Sequence, residues 1–246
     1  MLTLSKFDAN GLMDITMIAN DTMSEVLTTE TKNLPIKRRS KGEKTREKIL
    51  ISAIEILALS GIKGTTHRAI ANHAELQLSL TTYYFKDIQE LIHQAFKLNS
   101  ERILMRTDTI LEEIFTTITQ VPKAERKKTI VKEKLCQQLS SMASAHIIEN
   151  IKHHAISLAV EQLMLTEVQV TPELRFLVKE HELAQLVPFE QLCGFFNKIN
   201  PELDAKIMHT VFSQLQYSHL AEQVNIDISL IEQTTRKIIA WIMSVK

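Results

Sequence analysis

His67-Arg68-Ala69-Ile70-Ala71-Asn72-His73-Ala74-Glu75-Leu76-Gln77-Leu78-Ser79-Leu80-Thr81-Thr82-Tyr83-Tyr84-Phe85 decides the fold. Ala69, Ile70 and Ala74 share one face of a short helix. Thr66 stands just before it, with a hydroxyl that can cap free N–H groups. The pattern breaks at Glu75-Leu76, and a second short helix is predicted over about 77–84. Helices this short do not persist alone in water, so longer neighbours must brace them. Upstream, Ile49, Ala53, Ile56 and Leu57 mark a helix over about 44–60, stopped by Gly61. Downstream, Asp87 and Glu90 form a capping box before Leu91, Ile92, Ala95, Phe96 and Leu98, and that helix runs to about Thr119. Two short helices on a tight turn between two long ones make the helix-turn-helix plan, whose second short helix fits the major groove of DNA.

The rest of the chain reads as helix too. The 246 residues include only 5 Gly and 5 Pro, too little punctuation for a sheet with frequent turns. Helical patterns follow over about 124–149, 151–168, 172–196, 201–221 and 227–245. Pro122, Pro172 and Pro201 fall at or near first-turn positions, where a missing N–H is harmless. Pro188 falls inside a pattern and is expected to kink or split it. The fold class is therefore all-α.

Charge is uneven although the formal net charge is 0. Residues 37–97 hold 11 Lys or Arg against 6 acids, while the flanking segments are net acidic. Lys37-Arg38-Arg39-Ser40-Lys41 lies directly before the first helix and suits a phosphate-contacting arm. Residues 1–36 carry no sustained period and are expected to be a mobile arm. Acids interrupt the region where an export signal would have its apolar core, and no apolar run reaches the roughly 20 residues of a bilayer span. Cys136 and Cys193 have no metal-ligand spacing and read as buried thiols in a reducing compartment. A cytoplasmic protein without membrane association is expected. No Gly-rich phosphate loop, nucleophile elbow or metal motif is present, which argues against an enzyme. No cofactor is expected.

The second short helix carries Thr81 and Thr82 followed by Tyr83-Tyr84, two of the 3 tyrosines in the chain. Their hydroxyls suit phosphate oxygens, and Arg68 and Lys86 add charge nearby. One tyrosine ring can pack while the other faces DNA.

Thr45-Arg46-Glu47-Lys48-Ile49-Leu50, Gly61, Thr65-Thr66-His67-Arg68-Ala69-Ile70-Ala71 and Thr81-Thr82-Tyr83-Tyr84-Phe85, with Leu91, resemble the DNA-binding domain of the TetR family of transcriptional regulators. The resemblance spans residues 43–103. It implies a three-helix DNA-binding head over 43–103 and a helical regulatory and dimerisation domain over 104–246. It also implies a ligand-responsive repressor that binds a palindromic operator as a dimer. Carried over by position, Arg68, Tyr83, Tyr84 and Lys86 would hold phosphates, while Gln77, Leu78, Ser79 and Leu80 would face base edges; Thr66, Thr81 and Thr82 complete the expected DNA-binding set. Leu78 and Leu80 can touch a thymine methyl, whereas Gln77 and Thr81 are the polar readers. The chain departs from the family at Glu75 and Ser79, where Gly is usual, and at Ile88, where a cation is common.

The family's homodimer would be made by helices 201–221 and 227–245, with Leu203, Ile207, Val211 and Leu215 on one and Ile228, Ile231, Ile238, Ile239 and Ile242 on the other. A small-molecule pocket is expected among Met142, Leu163, Met164, Phe176, Phe195, Phe196 and Phe212, a stripe that equally suits plain core. His146, Glu149 and His153 share a helical face, but no fourth ligand accompanies them, and polar residues facing solvent are favoured over a metal site. The alternative function is a helical interaction protein on the same fold without an inducer, for which a filled core would be the sign.

Overall fold

A computed structural model describes residues 41–167, 171–197, 199–220 and 225–245. The expected arm over 1–36 and residues 37–40 of the basic run lie outside these. The described residues fall in the unit Arg39–Lys246. They form α1 (Lys41–Gly64), α2 (His67–His73), α3 (Leu78–Tyr84), α4 (Ile88–Gln120), α5 (Thr129–His153), α6 (Ala155–Glu167), α7 (Arg175–Phe196), α8 (Pro201–Ser218) and α9 (Ile228–Ile242). A single 3₁₀ turn, Pro172–Leu174, leads into α7. No strand occurs among the described residues.

Local chemistry sets the joints. Gly61 takes φ 65°, ψ −174° inside α1, so the regular helix ends there and one further turn follows. Thr66 caps α2 by accepting from the Ala69 N–H at 3.1 Å. After α2 the Leu76 N–H donates to the Ala71 carbonyl at 2.9 Å, and the Glu75 N–H to Asn72 at 3.1 Å. That pairing is a Schellman end, which needs a left-handed residue, and Glu75 supplies it at φ 51°. The Asp87 carboxylate accepts from the Glu90 N–H at 2.8 Å, while the Glu90 carboxylate accepts from the Lys86 N–H at 2.8 Å. The expected capping box is thus present, displaced by one residue on its return bond. α7 continues through Pro188 without a break, contrary to the expected split. The carbonyl that loses its helical N–H partner belongs to Ala184, which is exposed and can be met by water.

Two apolar clusters organise the chain. One joins Ile49, Leu57, Ile70, Phe85, Leu91 and Phe96 of α1–α4 to Val160 and Met164 of α6 and Leu177 and Val178 of α7. The other joins Leu111, Ile114 and Ile118 of α4 to α5, the C-terminal half of α7, α8 and α9. α4 belongs to both, so the 103/104 division lies inside one continuous helix. α2 packs on α1 and carries α3, and α1 packs on α4 and α6. The Arg46 guanidinium lies over the Phe85 ring, 5.1 Å from its centroid, and ties α1 to the end of α3.

A left-handed glutamate is strained because its Cβ crowds the following carbonyl oxygen. Glu75→Gly is expected to raise the unfolding free energy by about 1 kcal/mol, measured by urea titration. An unchanged or lowered stability would show that the turn accommodates Glu75 without strain.

Candidate nucleic-acid interface and internal cavity

α3 presents a narrow outer face. Gln77 is exposed at its N-cap and makes no side-chain capping bond. Ser79 and Thr82 are exposed, and the Thr82 hydroxyl donates to the Ser79 carbonyl at 3.1 Å. Leu78 is 43% exposed, whereas Leu80 packs partly into the head's apolar cluster. Thr81 is fully buried, and its hydroxyl donates to the Leu78 carbonyl at 2.8 Å. Its position on the inner face of α3 places it away from the outer surface, because it sits in register with the core residues Leu80, Tyr84 and Phe85.

Tyr83 is 79% exposed, while Tyr84 is half-buried against the cluster. Their rings meet edge to face, with centroids 5.0 Å apart and planes at 85°. The inner ring therefore holds the outer one in place. Thr66, Arg68 and Lys86 are exposed around this face. Glu75 is exposed in the turn beside it.

The second feature is a cavity among α4–α9. It leaves about 80 Å³ open to the centres of water molecules, several times what one buried water needs. Of the seven residues expected at a pocket, Phe196 and Phe212 line it. Met142 packs beside the cluster of α5, α8 and α9 (the upper cluster), and Leu163 and Met164 belong with the head's cluster. Phe176 is 70% exposed, and Phe195 lies at the surface with the Arg126 guanidinium over its ring. A sequence period marks apolar faces without telling which of several neighbours each face meets.

Sequence reasoning missed the cavity's polar wall. Arg106, His146, Asn150, Glu161, Gln185 and His209 line it. The available signal was polar residues in core register: Arg106 lies between Ile103 and Ile110, and Glu161 between Leu158 and Met164. Glu161 is 4% exposed and accepts from His181 Nε2 and Gln185 Nε2, each at 2.7 Å. Tyr217 stands near that carboxylate; burial first, then the Glu161 charge, pushes its phenol well above the usual range. The other ring nitrogen of His181 meets Ser100 Oγ of α4 at 2.7 Å. Gln185 also bonds His209 of α8. Asn99 and Ser157 share two bonds, and Arg106 donates to Ser157 Oγ at 3.1 Å. Burial lowers the guanidinium pKa of Arg106.

Burial also holds His146 down to about 4, with the nearby Arg106 and His154 charges adding to it. Its Nε2 accepts from Asn150 Nδ2 at 3.0 Å, as a neutral ring can. His153 pairs with Glu149 at 3.7 Å on the surface. Among the described residues, no group of three or more His, Cys, Asp or Glu is placed to hold a metal. Cys136 and Cys193 are both buried free thiols, and burial pushes the Cys193 thiol up to about 12. No helix among the described residues is long and apolar enough to cross a membrane.

No family model and no curated protein matches the chain. Solved structures do match it. A transcriptional regulator from Rhodococcus is 12% identical over 81% of this chain and 96% of its own, with a TM-score of 0.58. A TetR-like transcriptional regulator from the same genus is 13% identical over 82% and 97%, also at 0.58. A TetR-family member from Streptomyces coelicolor is 17% identical over 79% and 98%, at 0.52. At these identities the likeness establishes the architecture: the chain has the all-α fold of TetR-type transcriptional regulators.

The buried imidazole gives a pH dependence. His146 ordinarily titrates near 6.5 and in the folded chain near 4, so unfolding takes up a proton between these values. Stability is therefore expected to fall as pH drops from 6.5 toward about 4, with His154 and His209, also lowered chiefly by burial, acting in the same direction. His146→Gln should flatten part of that decline in urea titrations across the window. An equally steep decline in the variant would remove His146 as a contributor.

Proposed function

We propose that the chain is a dimeric, ligand-responsive DNA-binding regulator, with a reading head over residues 43–103 and a regulatory domain over 104–246. The observation that carries this reading is α3. It is a short helix whose outer face bears Gln77, Leu78 and Ser79, and at whose end an exposed Tyr83 is braced by Tyr84. Thr66, Arg68, Thr82, Tyr83, Tyr84 and Lys86 would position the head on phosphates, while Gln77, Leu78, Ser79 and the exposed edge of Leu80 would meet bases. Repression at a palindromic operator is the mode this design favours, since two identical heads match two half-sites. The cavity favours an effector-controlled regulator over an interaction protein with a filled core.

The second copy would dock on α7 and α8. Leu183 and Val187 form an exposed apolar row on α7, with Phe176 seven residues before Leu183, and Leu203 and Ile207 form one on α8. α7 and α8 pack side by side more extensively than any other helix pair. α9 instead buries Ile231, Ile239 and Ile242 in the upper cluster, chiefly against α5. The expected partner helix 227–245 is thus engaged within the protomer, and α7 takes its place beside α8 in this proposal.

The purified protein is expected to shift DNA from upstream of its own gene specifically, with affinity falling steeply as salt rises. Binding no tighter than to random DNA would defeat the reading. Tyr83→Phe should weaken specific and random DNA alike, about fivefold for ~1 kcal/mol of lost hydrogen bonding. Gln77→Ala should change the ranking of sites instead, and a uniform loss on all sequences would remove it as a base reader. In sedimentation velocity, the Leu183→Glu, Val187→Glu double variant should run as a monomer while Leu230→Glu remains dimeric; the reverse result would return the interface to α9.

A further inference from the structure

The cavity has a polar end and an apolar end, set by helix direction. Asn150 Nδ2 donates to Gln216 Oε1 at 2.9 Å, joining the C-terminal parts of α5 and α8. Arg106 and Ser157 join α4 to the start of α6 at the same level. This level is the one nearer the helix-turn-helix, because α6 and the first half of α4 share the head's cluster. At the other end Ile114, Leu139, Phe196, Met208 and Ile242 close the wall. The eight residues from Arg106 to Ile114 span about 12 Å at the rise of an α-helix. The space suits an elongated body with one polar end.

The charges at the polar end are not equivalent. Arg106 and Glu161 are the guanidinium and the carboxyl side chain that line the cavity. Glu161 already accepts from His181 and Gln185. Arg106 has one side-chain bond, to a neutral serine; the Glu161 charge acts on it through space, but the two form no ion pair. Its Nε is buried and meets no acceptor. The other cation near it, Arg102, faces Glu47 at 3.9 Å. A half-buried guanidinium whose Nε is buried and unmet is costly, and the group that answers both its charge and its geometry is a carboxylate.

We propose that the cavity takes a carboxylate carried on an elongated apolar body, its head against Arg106 and its tail toward Phe196 and Met208. This assigns a ligand class to the effector site and rests on the regulator reading above for its consequence. Asn150 Oδ1, buried and without a donor beside that head, also suits a hydroxyl or other donor near the carboxylate.

Decanoate, decanol and decyltrimethylammonium share an apolar chain and differ in the head. Calorimetric titration of the full-length protein below micelle-forming concentrations is expected to show decanoate binding once per protomer, at least tenfold tighter than decanol, with the ammonium weakest. Arg106→Met should erase the advantage of decanoate over decanol, and Arg106→Lys should keep part of it. Should Arg106→Met fail to fold, the three heads on the unaltered protein decide alone. Equal binding of decanoate and decanol, preference for the ammonium, or a preference that survives Arg106→Met would overturn the proposal. The two readings fail separately. Carboxylate preference with no effect on DNA binding would support this ligand class and defeat ligand responsiveness. Specific DNA binding without carboxylate preference would overturn this ligand class and leave the DNA-binding reading standing.

Discussion

The Glu161 carboxylate is the constraint from which the rest of the interior follows. A carboxylate at 4% exposure would cost several kcal/mol if left unpaired. It is met by His181 and Gln185, both from α7. Those donors are themselves buried and need partners, so the bonding extends to Ser100 on α4 and His209 on α8. One ionised side chain thus obliges four helices to meet in a single register. Apolar residues there could slide over one another; this set cannot without leaving a buried polar group unmet.

That polar layer also explains why the molecule has two apolar clusters and not one. Ser100, Glu161, His181 and Gln185 lie between the cluster beneath the paired short helices and the cluster around α5, α8 and α9. α4 spans both with 33 residues, roughly 50 Å at the helical rise. A displacement at the level of Arg106 is therefore carried along a continuous rod into the base of the head. α6 offers a second route, since Val160 and Met164 sit in the head's cluster one residue before and three residues after Glu161.

Much of this was legible in the sequence. The helices were readable from spacing and caps because each local signal has a local cause: Thr66 and Asp87 cap, Gly61 turns, and Ile49, Ala53 and Leu57 share a face. The division of labour between Tyr83 and Tyr84 was readable too, since adjacent residues on a helix point about 100° apart. Thr81 was not, because its inward placement depends on how α3 rolls against α2, which no residue of α3 records. The cavity failed for the same reason at larger scale. Met142, Leu163 and Phe176 are apolar at helical spacing, yet which neighbour each meets is decided by the crossings of α5, α6 and α7. The better signal was inverse: a charged residue where the period demands an apolar one, as at Arg106 and Glu161.

The cost of such residues bears on what the layer is for. Replacing a buried ionic group by well-packed apolar side chains is often neutral or stabilising. An apolar seam between the two clusters would also merge them into one close-packed core, which resists small relative movement. Hydrogen bonds behave differently, because a donor can exchange one acceptor for another at little cost provided none is left empty. Gln185, which bonds both Glu161 and His209, and Asn150, whose amide serves both His146 and Gln216, are built for such exchange. A polar head arriving beside Arg106 would offer new acceptors at the one level where helices of both clusters are joined by exchangeable bonds. Under the proposed function, such exchange would let a small ligand's contacts choose between arrangements of similar energy.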